Sequence, residues 1–315
     1  VEEALRRNME VWAAVRPTSS RRYLTDARIH FIELDFSSSE RLQKQMAGHS
    51  FYYIVHAAGV TKCLHTADFE RVNTEGTRHL AEAIQTLKMP IKRFVYLSSL
   101  SVFGAIKEQM PYEEITENDH PKPNTAYGKS KLKAEECLDS AEYGFPYIVL
   151  RPTGVYGPRE RDYFLMAKSI QNHLDFAVGY RRQDITFVYV KDVVQAVFLA
   201  LDHGKSGRKY FLSDGQVYQS STFSNLIHNE IGRPWWLRIT APVWLLRIVT
   251  FFGEQWGHLT GRMTALNNDK YNILKQRNWR CDIEPAVDEL GFHPQYTLEQ
   301  GVKETVAWYK DNHWL

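Results

Sequence analysis

The segment at residues 127–131, Tyr-Gly-Lys-Ser-Lys, contains the pair of side chains best suited to proton transfer. Tyr127 and Lys131 are four residues apart, so on a helix they would lie on one face, one turn apart. A phenol is a poor base at neutral pH, but a nearby cation favours the phenolate and lowers its pKa. We therefore expect Tyr127 to act as a general acid or base on a hydroxyl group.

The same spacing recurs at Tyr271 and Lys275, and the chain has 17 tyrosines, so one chance match is expected. The surrounding sequence distinguishes the two. Tyr127 lies in a region where strands and helices alternate, downstream of a serine cluster, whereas Tyr271 follows neither a predicted strand nor serines. We predict that the Tyr127 pair is catalytic.

The serine cluster is Ser98-Ser99-Leu-Ser101, at the end of a predicted strand. A hydroxyl at that position can donate a hydrogen bond to a developing oxyanion or hold a substrate hydroxyl. Serines are also common in turns and helix caps, and the cluster alone does not distinguish the two roles. With Tyr127 and Lys131 downstream, we predict that Ser99 completes the catalytic group.

Short apolar runs alternate with helical stretches through the first two-thirds of the chain. The predicted strands are residues 10–15, 29–34, 52–56, 93–97 and 147–150, and the predicted helices between them are residues 38–46, 69–87 and 126–142. This alternation predicts an α/β fold with a doubly wound parallel sheet. Ligands bind such sheets at the carboxyl ends of the strands.

Six segments, in order, resemble the extended short-chain dehydrogenase/reductase family, also known as the NAD-dependent epimerase/dehydratase family. They are His56-Ala-Ala-Gly59, Val72-Asn-Thr-Glu-Gly-Thr77, Tyr96-Leu-Ser-Ser-Leu-Ser-Val-Phe-Gly104, Thr125-Ala-Tyr-Gly-Lys-Ser-Lys131, Leu150-Arg-Pro-Thr-Gly-Val-Tyr-Gly-Pro158 and Phe187-Val-Tyr-Val-Lys-Asp192. The resemblance implies a Rossmann-like domain and hydride transfer with a nicotinamide cofactor.

The resemblance also implies residues that contact the cofactor. Lys131 would hold the nicotinamide ribose in addition to its catalytic role, and Tyr127 would lie beside it. Further contacts are implied for the backbone at Ala57, Ala58 and Gly59, for Asn73, for Asp35 and Phe36 beside the adenine, and for Pro152 and Thr153 near the nicotinamide.

The choice between NAD and NADP rests on the loop after residues 10–15. An acidic residue there usually accepts the ribose hydroxyls of NAD, whereas an arginine suits the additional phosphate of NADP. This loop has no acid but contains Arg16, which could form paired hydrogen bonds to a phosphate, with Thr18 or Ser19 beside it. We expect NADP, with NAD still possible and a solvated basic loop as the alternative.

One expected feature does not occur in the sequence. The family opens with a strand and a Gly-x-x-Gly-x-x-Gly turn that cradles the pyrophosphate at a helix N-terminus. This sequence begins Val1-Glu-Glu-Ala-Leu-Arg-Arg, which resembles the end of the following helix. We expect either that about 15 residues precede Val1 in the natural protein or that a fragment binds the cofactor weakly. The intact catalytic group favours the first.

The last third of the chain is expected to form a smaller substrate-binding lobe. We assign residues 1–173 to the nucleotide-binding domain, with residues 186–205 returning to it, and residues 174–315 mainly to the lobe. Three aromatic-rich segments resemble the 3β-hydroxysteroid dehydrogenase-like and dihydroflavonol reductase-like branch: residues 233–261, 278–282 and 304–309. That resemblance implies a larger, fairly apolar substrate.

Three functions remain open. The first is an oxidoreductase acting on a hydroxyl or keto group of an apolar molecule. The second is a nucleotide-sugar epimerase or dehydratase, although Gly154 stands where many of those enzymes have an asparagine that contacts the sugar nucleotide. The third is a cofactor-sensing protein without turnover, which the intact Tyr127 and Lys131 pair disfavours.

Composition narrows the partners and the location. A formal net charge of only +2 gives no electrostatic case for nucleic acid or an anionic membrane. Three separated cysteines argue against disulfides and zinc, and we expect a cytoplasmic enzyme. The apolar run at residues 242–253 is too short to span a bilayer; we expect a buried or lid helix, or else a surface for a hydrophobic substrate or membrane. The family resemblance implies a homodimer through helices 69–87 and 126–142.

Overall fold

A computed structural model describes residues 1–140, 143–260 and 267–315, with only the backbone described at residue 258. The strands are β1 (Val11–Val15), β2 (Ile29–Glu33), β3 (Tyr53–His56), β4 (Arg93–Leu97), β5 (Tyr147–Pro152), β6 (Gly154–Tyr156), β7 (Leu174–Val178), β8 (Asp184–Ile185), β9 (Phe187–Tyr189), β10 (Lys209–Leu212), β11 (Tyr218–Gln219) and β12 (Leu237–Ala241).

The helices of the described residues alternate with these strands in the first two-thirds of the chain. They are α1 (Glu2–Arg6), α2 (Ser39–Met46), α3 (Thr66–Phe69), α4 (Gly76–Thr86), α5 (Ala126–Ser140), α6 (Asp162–Gln171), α7 (Val190–Asp202), α8 (Ser220–Ile231), α9 (Val243–Thr260), α10 (Asn268–Lys275), α11 (Glu284–Leu290) and α12 (Leu298–Asp311). A π-helical turn, Glu70–Glu75, joins α3 to α4.

Four parallel strands form the central sheet, in the order β10-β5-β4-β3. Successive residues of β4 point to opposite faces, so that Phe94 and Tyr96 pack against α2, α4 and α5, while Val95 packs against α7 and α11. Phe94, Val95 and Tyr96 have no exposed surface. A parallel sheet covered by helices on both faces confirms the predicted α/β class.

The predicted strands and helices are confirmed to within two residues at nearly every end. The helix expected over residues 69–87 is interrupted by the π-helical turn, a form that is frequent at functional sites. The helix expected over residues 126–142 is α5, which is described to Ser140; residues 141 and 142 lie outside the described residues.

The pair β1-β2 is parallel but forms a sheet of its own. Within the described residues, no strand joins it to β3 at the near edge of the central sheet. In the described residues, α1 leads into β1. The predicted cofactor contacts lie at or after the ends of β1, β2, β3 and β5 and on the helices between these strands.

A further apolar cluster is built from aromatic packing among α6, α8 and α12, so that α6 packs with the predicted C-terminal lobe although it lies within residues 1–173. This cluster joins Tyr156, Phe223 and Tyr309 to apolar side chains of all three helices. The segment returning to the central sheet reaches Leu212 at the end of β10, beyond the expected limit at residue 205. The division into two domains remains a prediction. No helix in the described part of the chain is both long and apolar enough to cross a membrane.

Candidate active site

Three parallel strand ends bring the predicted site residues to one edge of the sheet. Because β3, β4 and β5 run in the same direction, the residues that follow them meet there. These are the exposed loop at residues 57–59, the serines after β4, and Thr153 after β5. Helix α5 contacts this edge directly, since Lys131 Nζ donates to the Leu97 carbonyl oxygen at 2.7 Å.

Tyr127 lies close enough to Ser99 for the Ser99 hydroxyl to affect its pKa. Burial raises the pKa of Tyr127 to about 12, and the smaller effect of the Ser99 hydroxyl opposes that rise. The expectation that a nearby cation lowers this pKa is therefore wrong for the structure described here. The Lys131 ammonium is directed to Leu97 instead of the phenol, so desolvation dominates and the phenol is neutral.

Lys131 is almost completely buried, and burial lowers its pKa to about 8, with Glu135 opposing that change. Its ammonium lies 4.7 Å from the centre of the Tyr96 ring. A lysine with this pKa is still largely protonated at neutral pH but loses its charge under mildly alkaline conditions. The site thus combines a neutral acid with a cation that is easily deprotonated.

Glu135, which the sequence reasoning missed, fixes helix α5 to the central sheet. Its fully buried carboxylate accepts hydrogen bonds from Ser98 Oγ at 2.5 Å and from Arg151 Nη2 at 2.5 Å and Nε at 3.1 Å. These contacts tie α5 to the ends of β4 and β5. The available sequence signal was a glutamate one turn after Lys131, together with an arginine directly after a predicted buried strand.

Asn73 and Gly59 shape the loop after β3. Asn73 Oδ1 accepts from the Val60 backbone N–H at 2.8 Å, and Nδ2 donates to the Val60 carbonyl oxygen and to Ser130 Oγ. A Cβ added at Gly59 would lie 2.9 Å from Asn73 Oδ1 and 3.5 Å from Lys131 Nζ. The backbone of the loop therefore passes close to Lys131, as a cofactor-lining loop must. With its amide engaged inside the protein, Asn73 holds this loop in place.

A second residue missed by the sequence reasoning is Asp269, on α10 of the C-terminal lobe. Its carboxylate accepts from the backbone N–H groups of Ala126 at 2.9 Å and Tyr127 at 3.1 Å. It thereby caps the N-terminus of α5, where an acidic group is favoured by the helix dipole. The second tyrosine–lysine pair is on the same helix, with Lys275 Nζ 4.9 Å from the centre of the Tyr271 ring.

The predicted adenine-side residues lie in the loops after β1 and β2. Asp35 accepts from the Ser37 backbone N–H and pairs with Arg41 at 2.6 Å, so its carboxylate is already engaged. Phe36 stacks on His56, with ring centres 5.9 Å apart. Ser19 Oγ accepts from the Arg16 backbone N–H at 3.0 Å. The Arg16 guanidinium is exposed, and it forms no hydrogen bond or ion pair with the described residues.

The residues after β5 are closely packed and do not line an open polar pocket. Thr153 Oγ1 donates to the Thr186 carbonyl oxygen at 2.7 Å, and Pro152 is buried beside it. At Gly154, an added Cβ would lie 2.7 Å from the Tyr163 hydroxyl oxygen. The space that a side chain at position 154 would enter is thus occupied by a tyrosine. The described residues contain no cluster of three metal-ligating side chains.

The chain is similar in sequence to a known enzyme family and to several of its members. A model of the NAD dependent epimerase/dehydratase family matches residues 1–213. UDP-glucose 4-epimerase of Vibrio cholerae is 27% identical over 245 residues, covering 75% of this chain and 68% of that protein. The decarboxylating sterol-4-alpha-carboxylate 3-dehydrogenase of Schizosaccharomyces pombe is 26% identical over 278 residues, covering 81% and 76%.

A solved structure of dTDP-glucose 4,6-dehydratase from Bacillus anthracis, in complex with NAD, has the same fold. It superposes with a TM-score of 0.76 at 19% identity and covers 99% of this chain and 92% of that one.

Proposed function

The chain belongs to the NAD-dependent epimerase/dehydratase family, and within this family of oxidoreductase-type enzymes we propose that it moves a hydride between NADP and a hydroxyl or keto group of a fairly apolar small molecule. The observation that carries the proposal is the contact of Tyr127 with Ser99 next to Lys131, at the carboxyl end of β4. A hydride enzyme acting on carbonyl groups needs this arrangement to supply a proton where the substrate oxygen gains charge.

In the reductive direction the protein's part is proton delivery. Neutral Tyr127 donates its phenolic proton to the substrate oxygen, and the Ser99 hydroxyl donates a hydrogen bond to that same oxygen as charge develops on it. In the substrate complex, the Lys131 ammonium would turn from the Leu97 carbonyl oxygen toward the phenolate left behind and stabilise it. When bound, the nicotinamide supplies the hydride, so that a ketone, a hydride and a proton give an alcohol. Alcohol oxidation runs through the same steps in reverse.

The residues fit a nicotinamide cofactor at the end nearest the reaction. The exposed backbone of residues 57–59 passes close to Lys131, which has hydrogen-bonding capacity beyond Leu97. At the other end, the exposed Arg16 guanidinium is placed after β1, where an arginine suits the additional phosphate of NADP. The engaged Asp35 carboxylate is consistent with a supporting role beside the adenine.

Two features support an apolar substrate. The Tyr163 hydroxyl fills the space next to Gly154, where many sugar-nucleotide enzymes of the family carry an asparagine. The C-terminal lobe, moreover, carries exposed aromatic and aliphatic side chains on β12 and α9. A substrate pocket bordered by such a lobe would gain free energy by burying apolar surface.

A nucleotide-sugar epimerase or dehydratase is the second candidate. It is favoured by the similarity to UDP-glucose 4-epimerase of Vibrio cholerae and to dTDP-glucose 4,6-dehydratases. Such an enzyme would use the same acid and base residues, but it would keep its NAD bound and return the hydride to the sugar. A cofactor sensor without turnover is disfavoured by the intact Tyr127 and Lys131 pair.

The deciding experiment combines cofactor titration with a substrate panel. NADPH and NADH are titrated by nicotinamide fluorescence, and turnover is followed with apolar cyclic ketones, with UDP-glucose and with dTDP-glucose. The proposal predicts tighter NADPH binding and NADPH consumption with the ketones. Turnover of a sugar nucleotide by protein that purifies with bound NAD would overturn it in favour of the second candidate. Cofactor binding with no turnover on any substrate would favour a sensor.

A further inference from the structure

Helix α9 presents its apolar side chains outward. Eight large apolar residues of this 18-residue helix are exposed, including Leu259 at 83% and Phe252 at 66% exposure; the others are Trp244, Leu245, Ile248, Val249, Phe251 and Trp256. The side facing the protein contains Leu246, Thr250 and Gly257, which are buried. At about 100° per residue, the exposed apolar side chains span nearly half of the helix circumference. A helix of an ordinary globular lobe has the reverse orientation.

The preceding strand pair shows the same inversion. In β7 and β12, Phe176 is paired in register with Ile239, and both side chains are exposed, as is Leu237. On the opposite face, Arg238 Nε donates to the Asp175 carboxylate at 2.6 Å, and that aspartate is almost fully buried. Two consecutive elements therefore place polar groups inside and apolar groups outside. Monomeric soluble proteins rarely expose so many large apolar side chains on consecutive elements.

The chemistry of this surface matches the interface of a lipid bilayer. It contains Trp235, Trp244 and Trp256, and tryptophan is the side chain most characteristic of the boundary between headgroups and acyl chains. Residues 233–260 contain three arginines and one glutamate; Arg233 and Arg247 are exposed, which complements anionic headgroups. An 18-residue helix measures about 27 Å, and α9 does not qualify as a membrane-spanning helix, so it would lie in the interface.

We propose that the C-terminal lobe docks on the surface of a phospholipid bilayer through α9 and the β7–β12 pair. This inference goes beyond the proposed function and does not depend on which substrate is turned over. Leu259, Phe252 and Trp256 are each more than 60% exposed. A fluid bilayer can adapt to such side chains, whereas a second copy of the chain would need a matching surface.

Docking also has a route to the catalytic helix. α9 packs against α10, and Asp269 of α10 caps α5 at Tyr127. An apolar substrate dissolved in a membrane would thus reach a lobe that is in direct contact with the proton donor's helix.

The test measures vesicle binding by co-sedimentation and by tryptophan fluorescence. Vesicles of phosphatidylcholine alone and of phosphatidylcholine mixed with phosphatidylglycerol are titrated into the purified protein. We expect binding to both, tighter to the anionic vesicles, with a blue shift of tryptophan emission and quenching by brominated acyl chains. The variant Phe252→Glu should bind at least about tenfold more weakly, whereas Phe252→Leu should retain most of the binding. Arg247→Glu should weaken binding to the anionic vesicles only.

Two controls make the outcome decisive. Met110→Glu changes an exposed apolar side chain far along the chain from this surface and should leave vesicle binding unchanged. Circular dichroism must show each variant folded, and light scattering reports the oligomeric state. Absence of vesicle binding by the unmodified protein, or equal binding by Phe252→Glu, would overturn the proposal. A dimer that Phe252→Glu dissociates, without vesicle binding, would identify the surface as an interface between copies.

Discussion

At the scale of single residues, burial governs the candidate catalytic group more than the charges within it. Desolvation raises the pKa of Tyr127 and lowers that of Lys131, because in both cases the low-dielectric surroundings disfavour the charged form. The phenol therefore starts as a proton donor. We expect activity to fall at the alkaline pH at which Lys131 loses its proton.

Replacing Tyr127 with phenylalanine removes the proton donor and little else. The ring and its contact with Phe69 remain, so we expect a normal thermal unfolding temperature and a loss of turnover of about 10²- to 10⁴-fold. The matched control is Tyr271→Phe, which changes the other tyrosine with a lysine four residues later and should leave turnover unaffected. Equal turnover in Tyr127→Phe and the unmodified enzyme would remove Tyr127 from the mechanism.

The pH dependence should follow Lys131. For ketone reduction, kcat/KM should fall as the pH rises through about 8, because the ammonium that stabilises the phenolate loses its proton. Tyr127, with a pKa raised to about 12, adds no ionisation below that pH. The measurement is kcat/KM from about pH 6 to about pH 10. In the variant Lys131→Arg, any remaining activity should not decline over this alkaline range.

If Lys131 dominates the pH dependence of stability, unfolding cannot explain the fall of kcat/KM above pH 8. The pKa of Lys131 in the folded state, about 8, lies below the ordinary value of 10.5, so between these values the unfolded state binds more protons. The contribution of Lys131 to stability therefore rises with pH across this window. Thermal unfolding at both ends of the window checks this sign, and a collapse of the fold above pH 8 would contradict the assignment.

Cofactor preference should depend on Arg16. Arg16→Ala should weaken NADPH binding by about 10- to 100-fold, as expected for loss of a charge-assisted hydrogen bond, with NADH binding unchanged. Arg22→Ala, in the same loop, is the control and should change neither affinity. An equal loss of both cofactors, or of neither, would mean that Arg16 is simply a solvated basic residue.

At the scale of elements, α5 is the part of the molecule that determines the site geometry. It is held at its N-terminus by Asp269 from the C-terminal lobe and below Lys131 by Glu135, which links it to β4 and β5. Neither residue touches a candidate reacting atom, and both act by positioning Tyr127 and Lys131. Asp269 thus orients the helix that carries the proposed catalytic pair.

Asp269→Ala should uncouple the lobe from this helix. We expect a loss of about 0.5–2 kcal/mol in the free energy of unfolding, as for other helix caps, and a severalfold lower kcat/KM. Asp269→Asn should restore only part of both, because asparagine keeps one acceptor oxygen and would face the other backbone N–H with its own NH2 group. The control, Asp288→Ala, removes an exposed carboxylate on α11 and should stay within about 0.5 kcal/mol. Unchanged activity in Asp269→Ala would show that the cap is purely structural.

At the scale of the whole molecule, two surfaces are candidates for contacts with other molecules. The face of α4 and α5 predicted as a homodimer interface carries paired charges such as Arg78 with Glu82 and Lys133 with Glu70. The exposed face of α9 is apolar, and we propose that it binds a phospholipid bilayer. The two surfaces are chemically different, and a test of one therefore does not decide the other.

Light scattering should give a mass of about twice 36.7 kDa for the protein in solution. Cys137→Glu, on the partly exposed side of α5, should reduce that mass to a monomer, since it adds an unpaired charge to the interface. Asp288→Lys on α11 should leave the dimer intact. A monomeric mass for the unmodified protein would refute the prediction.

The sequence by itself determined the local features of this protein. The periodicity of apolar residues placed β1 to β5, α2 and α5 to within two residues, because burial on a sheet or a helix face imposes a period that is visible in the chain. The order of six short motifs identified the family. The spacing of Tyr127 and Lys131 identified the pair on one face of α5, since helical geometry fixes which residues are neighbours.

Only the tertiary structure decided the features that join distant segments. Asp269 lies far along the chain from the helix it caps, and no local pattern marks such a partner. The direction of the Tyr127 pKa shift depended on how deeply the fold buries it and on where Lys131 points. The apolar run around Phe252 predicted a helix correctly, but its composition could not say which side would face solvent. Burial and direction are set by packing against other elements, and a sequence contains them only through the fold.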